Sequence, residues 1–426
     1  MKKYLMLCFN LLKVVCLRII DIFIPKDDQL MVFYSVPNFS DNAKSFYDYM
    51  VANHRDYKLV WLYDDLIYDN NEIFIPIKKR FKYCFHLKSL QATYTLMRAK
   101  FIIVTHSKNI NKFINVKKHT YIQLWHGMPI KLIGPSEEHL NKSILKNYLT
   151  LGKNSYFFST SDIFRLKLSA SFFVSYNRIF ITGQPRTDCI INKNKIETAR
   201  EFLNASAFNK IILFTPTYKE RIRSNNGKRD IDCEFNNIFY MNDYKSDDFN
   251  NYLQQNNILF IVKPHPFDEL AYIEMFHATS DKYKQTKDGT DKTDSKTNIR
   301  LLLNLDLIRA DLYLYDLFPL VDIMATDFSS ISIDFLIQNK PIIYLDNLAD
   351  EYKKNRGFFL DDNYKILTPG PFVKTYRQFI DAITNTLECD DFVEQRNKVL
   401  PLLHKYIDGN ASHRVFNIIT NLEDKK

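Results

Sequence analysis

The chain has 426 residues, 46% of them hydrophobic, and carries a formal net charge of +9. This length suits two domains of roughly 150–200 residues each, and the hydrophobic content excludes a disordered protein. The basic excess indicates anionic partners such as phosphate esters, nucleic acid or an anionic membrane face, without choosing among them. The six cysteines form no CxxC pair, and neither a GxGxxG fingerprint nor a Walker A motif occurs. We therefore expect no disulfide framework, zinc site or Gly-rich nucleotide loop, and a reducing cytoplasm fits the cysteine usage.

Residues 1–26 predict an amphipathic helix that associates with a membrane surface. Charged residues interrupt the apolar run, so no stretch of about 18 uncharged residues is available to span a bilayer. The apolar face of such a helix would contain Leu5, Cys8, Phe9, Leu12, Cys16, Ile19 and Phe23. The polar face, or its border, would contain Lys2, Lys3, Lys13 and Asp21. This pattern favours an interfacial helix. A helix packed on the protein's own surface and a transmembrane anchor are the alternatives.

In residues 27–190, apolar strands alternate with helices. The predicted strands are Leu30–Ser35, Leu59–Tyr63, Phe101–Thr105, Tyr121–Trp125, Tyr156–Ser159 and Ile179–Thr182. Several are continuous apolar runs, as in parallel strands that are covered on both faces. The predicted helices between them are Ala43–Ala52, His86–Met97, Glu137–Leu151 and Asp162–Phe172. This order predicts a doubly wound α/β domain.

Residues 191–395 repeat the pattern. The predicted strands are Lys210–Phe214, Leu259–Lys263, Asp322–Thr326 and Pro341–Leu345, and Ser329–Gln338 is a predicted helix. The polar tract Ser280–Asn298 is expected to be a surface loop, and residues 396–426 are expected to form a C-terminal helix that packs back. Two such domains without a Gly-rich loop are typical of the GT-B architecture, in which two Rossmann-like domains face each other across a cleft.

The first candidate site residue is His126, at the end of the predicted strand Tyr121–Trp125. Gly127 permits a turn and Pro129 stops the strand, so the imidazole should lie at the mouth of a sheet. Open α/β sheets bind ligands at this edge, and an imidazole pKa of about 6.5 suits proton transfer near neutral pH. A merely packed histidine is the alternative.

A second histidine, His265, also follows an apolar strand, and prolines flank it on both sides. Lys263, at the end of that strand, supplies a positive charge, while His265 can donate a hydrogen bond or a proton. This pair suits an anionic group on which charge develops during a reaction. A rigid structural turn with a capping histidine is the alternative.

A third segment indicates an anion site. The strand Asp322–Thr326 ends at Thr326 and Asp327, and Ser329 and Ser330 fall where the next helix begins. Backbone N–H groups and the positive end of a helix bind phosphate there. Helix capping by Asp327 or Ser329 is the alternative, and it uses the same N–H groups.

Two weaker candidates complete the set. Thr215 and Thr217 follow the strand Lys210–Phe214 and add hydroxyl groups at another strand end. Arg186, just before the expected domain boundary, could reach into an interdomain cleft; an ordinary surface arginine is the alternative.

A set of motifs occurs in one order along the chain. They are Gln123–Lys131 (QLWHGMPIK), Gly183–Asp188 (GQPRTD), Thr215–Tyr218 (TPTY), Lys263–Pro266 (KPHP), Thr326–Ser330 (TDFSS), Lys340–Tyr344, Arg356–Phe358, Pro369–Pro371, Asp408–Gly409 and Arg414–Val415. Each is weak alone, but the ordered set strongly resembles the CDP-glycerol glycerophosphotransferase family of teichoic-acid primases and polymerases, over roughly residues 30–420. The departures are Met128 for a usual Thr, Tyr218-Lys219 for Trp-Arg, and Phe328 for Tyr.

The resemblance implies transfer of glycerol phosphate, or a related polyol phosphate, from a CDP-activated donor to an acceptor hydroxyl, with release of CMP. It implies catalytic roles for His126 and His265. The donor phosphates are then expected to contact Lys263, Thr326, Asp327, Ser329, Ser330, Thr215, Thr217 and Arg186. Trp125, Gly127 and Lys131 are expected on the acceptor side, in the N-terminal domain.

The expected partners are a CDP-polyol donor and a lipid-linked or polysaccharide acceptor at the cytoplasmic membrane face, where the protein would be peripheral. No metal or cofactor is expected, because no carboxylate cluster has metal-ligand spacing. A GT-B glycosyltransferase that uses a nucleotide sugar is one alternative, and a non-catalytic membrane-associated binding protein is another. A nucleic-acid binder is disfavoured, because the basic residues are dispersed and no known binding motif occurs. Glycerol versus ribitol, and primase versus polymerase, stay open.

Overall fold

The chain divides into two α/β units. A computed structural model describes residues 2–64, 80–106, 110, 114–128, 130–136, 145, 149, 151–217, 237–278, 297–355 and 357–422. Unit 1 comprises Met1–His126, Gly134–Ile191 and Leu403–Lys426, and unit 2 comprises Gly127–Ile133 and Asn192–Leu402. Each unit is built on an all-parallel sheet. The predicted fold class of two doubly wound domains is confirmed.

Unit 1 contains a seven-stranded sheet. Its strands are β1 (Asp27–Tyr34), β2 (Lys58–Tyr63), β3 (Cys84–His86), β4 (Ala99–Val104), β5 (Thr120–Gln123), β6 (Ser155–Ser159) and β7 (Ile179–Ile181), in the order β3-β2-β1-β4-β5-β6-β7. Val32 lies in the core on one face of the sheet and Phe33 in the core on the other. Both faces are therefore buried, which explains the continuous apolar runs. The strand order reverses between β1 and β4, where doubly wound folds bind ligands.

Helices cover both faces of this sheet. They are α1 (Lys2–Phe23), α2 (Asp41–Asn53), α3 (Leu90–Arg98), α4 (Asp162–Phe172) and α5 (Asp188–Asn192). The hydroxyls of Ser89 and Ser161 accept hydrogen bonds from backbone N–H groups at the starts of α3 and α4. These caps satisfy amide groups that a helix start leaves without a partner. The predicted start of α3 at His86 is wrong, because His86 still pairs in β3 and Ser89 caps the helix.

Unit 2 contains a six-stranded sheet. Its strands are β8 (Lys210–Thr215), β9 (Ile258–Val262), β10 (Ile299–Leu301), β11 (Ile323–Thr326), β12 (Ile342–Leu345) and β13 (Phe372–Val373), in the order β10-β9-β8-β11-β12-β13. The helices are α6 (Ile196–Leu203), α7 (Ser246–Gln255), α8 (Glu269–Ala278), α9 (Asn304–Arg309), α10 (Leu314–Leu317), α11 (Ile331–Phe335), α12 (Ala349–Asn355), α13 (Tyr376–Glu388) and α14 (Val393–Leu403). The strand order again reverses at its centre, between β8 and β11. The two sheets therefore share one winding scheme.

The last helix, α15 (Ala411–Asn421), belongs to unit 1. Val415 and Ile419 are fully buried in the core that α2 also covers. The carboxylate of Asp188 accepts hydrogen bonds from the backbone N–H groups of Ala411 and Ser412, both at 2.8 Å. An aspartate at this position caps the helix and complements its positive end.

The N-terminal helix α1 is attached through Asp21, whose side chain is fully buried. Its carboxylate accepts hydrogen bonds from Lys26 Nζ (2.6 Å), Asn115 N (2.7 Å) and His119 Nε2 (3.0 Å). Asp21, which was expected on or near the polar face of the helix, packs on unit 1, where these donors replace the water around its carboxylate. Among the residues described, no helix is both long and apolar enough to cross a membrane.

The strands that the sequence missed are β3, β10 and β13, and each lies at the edge of its sheet. An edge strand pairs on one side only, so two or three residues suffice and no long apolar run marks it. The predicted helix Glu137–Leu151 and tract Ser280–Asn298 lie largely outside the described residues. The predicted helix Ser329–Gln338 is α11 followed by a 3₁₀ turn, Leu336–Gln338.

Candidate active site

Two histidines of unit 1 follow neighbouring parallel strands at their carboxyl ends. His106 comes two residues after β4, and His126 comes three residues after β5. Trp125 has a φ of 61° and Gly127 a φ of 136°, so a left-handed backbone flanks His126 on each side. Glycine adopts this conformation without strain, whereas a tryptophan rarely does. The turn therefore places the His126 ring at the ligand-binding edge that the sequence predicts.

The hydrogen bond at Nδ1 sets the tautomer of His126. Nδ1 lies 3.3 Å from the carbonyl oxygen of Thr105, which can only accept. The proton of the neutral ring is therefore on Nδ1, and the lone pair is on Nε2. The ring also contacts Trp125, with centroids 4.1 Å apart. With its proton on Nδ1 and its lone pair on Nε2, the neutral His126 ring has the protonation that a general base acting through Nε2 requires.

A buried arginine holds the backbone of this turn. Nη1 of Arg186 donates to Asp41 Oδ1 (2.8 Å) and to the carbonyl oxygen of His126 (3.0 Å). The backbone N–H of Arg186 donates to Asn42 Oδ1 (3.1 Å), and Asn42 Nδ2 donates to the carbonyl oxygen of Trp125 (3.0 Å). The sequence assigns Arg186 to donor phosphate. That assignment stays a prediction, and the contacts in unit 1 show in addition that Arg186 clamps the His126 turn.

The acceptor-side motif is divided between the two units. Trp125 and His126 end their part of unit 1, whereas the segment Gly127–Ile133 groups with unit 2. In unit 2, Leu132 N donates to Gly357 O (3.1 Å), and Lys131 forms an antiparallel bridge with Phe358. Lys131 and Gly127 therefore do not share a unit with His126, although the sequence places them in one domain. The side chain of Met128, the departure from the family motif, is fully buried.

His265 of unit 2 has the opposite hydrogen-bonding pattern to His126. The backbone N–H of Phe267 donates to His265 Nδ1 at 3.3 Å. An N–H group cannot accept, so Nδ1 carries the lone pair and the proton of the neutral ring is on Nε2. His265 thus presents an N–H donor at the same ring position where His126 presents an acceptor.

Lys263 forms a buried ion pair in unit 2. Its Nζ donates to Glu269 Oε1 (3.0 Å) and to the carbonyl oxygen of Pro264 (2.9 Å), and both charged side chains are at most 4% exposed. Burial lowers the pKa of Lys263, and the Glu269 carboxylate opposes that shift. Glu269 also accepts from the backbone N–H of Asn304 (2.8 Å). This pair ties the loop of His265 to α8 and α9, and together with the Pro264 carbonyl oxygen it occupies two of the three N–H donors of the Lys263 ammonium.

Asp327 ties two strand ends of unit 2 together. Its Oδ1 accepts from Thr217 N (2.8 Å), from the Thr217 hydroxyl and from Phe328 N (2.7 Å). Thr326 Oγ1 donates to the carbonyl oxygen of Thr215 (2.6 Å), which joins the same two strands. The buried Thr215 Oγ1 finds no hydrogen-bonding partner among the residues described. Of the three threonines, Thr215 is therefore the one whose hydroxyl has no hydrogen-bonding partner within the described ranges.

Ser329 and Ser330 precede α11 and are half-buried. The carbonyl oxygen of Ser329 accepts from the backbone N–H of Ser332 (3.2 Å) and from its hydroxyl (2.9 Å). The side chain of Ser330 makes no capping hydrogen bond to the helix. The capping alternative, which names Asp327 or Ser329, stays a prediction. Phosphate binding at the two serines stays a prediction.

Three residues beside the His126 turn were not predicted: His106, Asp41 and Asn42. His106 directly follows a predicted strand, Phe101–Thr105, and this strand-end position is the same signal that points to His126 and His265. Asp41 and Asn42 begin a helix, and only their contacts with Arg186, more than 140 residues away, show what they hold. Within the described part of the chain, no three His, Cys, Asp or Glu side chains gather as a metal site requires.

Comparison with known proteins gives a consistent result. A family model described as CDP-Glycerol:Poly(glycerophosphate) glycerophosphotransferase matches residues 17–421. The chain is 27% identical to a teichoic acid poly(glycerol phosphate) polymerase of Bacillus spizizenii over 391 residues, 85% of each protein. It is 25% identical to a teichoic acid glycerol-phosphate transferase of Staphylococcus aureus over 401 residues, 89% of this chain and 90% of that protein. A solved structure of the wall teichoic acid polymerase TagF superimposes with a TM-score of 0.73 at 19% identity, over 99% of this chain and 96% of that one, which shows a common fold.

Proposed function

Because the chain belongs to the CDP-glycerol:poly(glycerophosphate) glycerophosphotransferase family, we propose that it transfers glycerol phosphate from CDP-glycerol to a hydroxyl of a lipid-linked or glycan acceptor, releasing CMP. The observation that carries the mechanism is the opposite tautomers of His126 and His265. One ring offers a base and the other a hydrogen-bond donor. A phosphoryl-type transfer between an alcohol and a diphosphate needs one of each.

The acceptor oxygen attacks the β-phosphorus of CDP-glycerol in line. A bond forms between that oxygen and phosphorus, and the bond from phosphorus to the bridging oxygen breaks, so the bridging oxygen leaves with CMP. The proton of the acceptor hydroxyl passes to Nε2 of His126. The hydrogen bond from Nδ1 to Thr105 O supports this role, because it keeps the lone pair on Nε2. A positioned base of this kind contributes about 10²–10⁴ in rate.

His265 stabilises the negative charge that develops on the diphosphate. Its Nε2–H is the donor that the Phe267 hydrogen bond leaves on the ring. The hydroxyls of Thr215, Ser329 and Ser330 add neutral donors at the carboxyl ends of β8 and β11. Removing one such donor typically costs about 10²–10³ in rate. Lys263 and Arg186 act indirectly, by holding the His265 and His126 turns, and the proposal includes no metal or cofactor.

The protein is proposed to work at the cytoplasmic membrane face as a peripheral protein. Helix α1 exposes Leu12, Val15, Ile19 and Phe23, and Phe23 is 80% exposed. Lys13 and Arg18 on the same helix are also exposed, which suits an anionic lipid surface. Asp21 anchors the opposite side of the helix to unit 1.

Transfer is tested by incubating the protein with CDP-glycerol or CDP-ribitol and a lipid-linked acceptor, and by measuring CMP release and product length. We expect CMP release with CDP-glycerol that falls at least 10²-fold in His126→Gln and in His265→Ala. The control is His413→Gln, which changes an exposed histidine of α15. Transfer from a nucleotide sugar in place of CDP-glycerol, or full activity of His126→Gln, would contradict the proposal.

Membrane association is tested by flotation with vesicles of anionic and of neutral lipid. We expect Leu12→Glu combined with Ile19→Glu to abolish binding to anionic vesicles, because two charges would enter the apolar face. Leu90→Glu, an exposed leucine on α3, is the matched control. Unchanged binding of the α1 double variant would overturn the assignment. Substitution is preferable to deleting residues 1–25, because deletion would also remove the Asp21 anchor.

A further inference from the structure

The ring of His106 lies face to face with the ring of His126. Their centroids are 3.9 Å apart, and the two planes differ by only 11°. The rings come from adjacent strands, β4 and β5, so the sheet register sets their spacing. Parallel aromatic rings at this distance are in direct van der Waals contact.

Both rings are also tied to Thr105, which is fully buried at the end of β4. Its carbonyl oxygen accepts from His126 Nδ1 at 3.3 Å. Its hydroxyl lies 3.2 Å from His106 Nδ1, within hydrogen-bonding distance. Thr105 thus orients both imidazoles, because rotation of either ring about its χ2 bond would break its hydrogen bond to Thr105.

His106 is neutral at physiological pH. Loss of contact with water around the ring lowers the pKa of His106 to about 4, although the nearby Asp41 carboxylate acts in the opposite direction. Asp41 on α2 and Arg186 are the charged groups that the structure shows beside this pair of rings, and they form an ion pair with each other at 2.8 Å. The group stacked on the His126 ring is therefore an uncharged π face, flanked by a carboxylate and a guanidinium that largely offset each other.

We propose that His106 is a positioning residue for His126: its neutral ring holds the His126 imidazole in plane and stabilises the imidazolium that forms when His126 takes the acceptor proton. This inference rests on the proposed function, in which His126 is the base. No proton passes to His106. A cation over an aromatic face gains an amount that corresponds to about 2- to 30-fold in an equilibrium or a rate.

The test compares His106→Phe, which keeps a flat aromatic face, with His106→Leu, which fills the space without one. We expect His106→Phe to keep kcat within about 3-fold of wild type. His106→Leu should lower kcat by about 2- to 30-fold with an unchanged KM for CDP-glycerol. The pH profile of kcat should also change in His106→Leu. Its acid limb, where kcat declines because His126 becomes protonated, should move to lower pH by about 0.3–1.5 units, since a His126 imidazolium without the stack loses its proton more readily. If His106→Leu does not fold, His106→Gln takes its place.

A second readout does not depend on activity. With ¹⁵N-labelled histidine, the His126 signals are assigned from His126→Gln, and their titration is followed in wild type and in both His106 variants. We expect the His126 pKa to fall in His106→Leu and to hold in His106→Phe. The inference is overturned if the two variants behave alike, in titration or in kcat. If wild type transfers no glycerol phosphate, the proposed function fails, while the titration still decides whether His106 stabilises the imidazolium.

Discussion

The buried ion pair between Lys263 and Glu269 holds the KPHP segment, Lys263–Pro266, against α8. The two side chains meet at 3.0 Å, and neither is more than 4% exposed. Replacing Glu269 by Leu would leave the Lys263 ammonium buried without its partner. Breaking a buried pair in this way costs about 3–5 kcal/mol. For a unit of about 200 residues, each kcal/mol lowers Tm by about 2–4 °C, so we expect Tm to fall by about 6–20 °C.

The double variant Lys263→Met with Glu269→Leu separates structure from phosphate binding. Removing both charges and keeping the volume is often neutral for buried pairs, so we expect Tm to return to within about 5 °C of wild type. If Lys263 only anchors the His265 loop, the double variant also keeps its affinity for CDP-glycerol within a few-fold. Thermal unfolding monitored by circular dichroism gives Tm, and isothermal titration calorimetry gives the affinity.

Two results would refute this reasoning. A Tm unchanged within 2 °C in Glu269→Leu would show that the pair contributes no stability. A double variant with the Tm of wild type but with more than 100-fold weaker CDP-glycerol binding would show that Lys263 contacts the donor phosphate. The second result would restore the role that the sequence pattern assigns to this lysine. The matched control is Lys210→Met, which removes an exposed lysine that pairs with Asp322.

Two further predictions concern unit 1. Arg186→Lys keeps the positive charge but loses the planar guanidinium that bridges Asp41 and the His126 carbonyl oxygen. We therefore expect kcat to fall about 10-fold with an unchanged KM for CDP-glycerol. The control Arg165→Lys should leave both constants unchanged. A raised KM with an unchanged kcat would instead support a phosphate contact. Burial alone would raise the pKa of Asp21, but hydrogen bonds from His119 and Lys26 hold it below the usual 3.8. The ionised Asp21 therefore contributes fully to the free energy of unfolding above about pH 4, and this contribution is lost as pH falls through the lowered pKa of Asp21 in the folded protein. Urea unfolding should show a steeper loss of stability from pH 5 to pH 3 in wild type than in Asp21→Asn, and equal losses would contradict it.

The central strands of both sheets were predictable because burial on both faces demands a continuous apolar run. Phe33 and Val32 illustrate this, since each fills a different core from adjacent positions of β1. Edge strands such as β3 and β13 have no such requirement, so their two or three residues carry no distinct pattern. The positions of His126 and His265 at strand ends were also predictable. In each case a glycine or proline next to the histidine stops the strand, so the histidine lies at the strand's carboxyl end.

The charge partners were less predictable, and the reason is distance along the chain. The ion pairs of Arg186 and Lys263 were not predicted, because the sequence does not show whether a lysine or an arginine is buried. Glu269 is only six residues from Lys263, but whether the chain turns back to bury both depends on the packing of α8. Asp41 is 145 residues from Arg186, and nothing local connects them.

By itself, the sequence determined the fold class, the family and the two histidine turns, because these depend on apolar periodicity, on glycine and proline, and on the order of short motifs. The tertiary structure alone decided which nitrogen of each histidine carries the proton. His265 receives its bond from Phe267, two residues away, whereas His126 donates to Thr105, 21 residues away on the neighbouring strand. A tautomer is set by whichever atom faces the ring, and for His126 only the register of β4 against β5 brings that atom there.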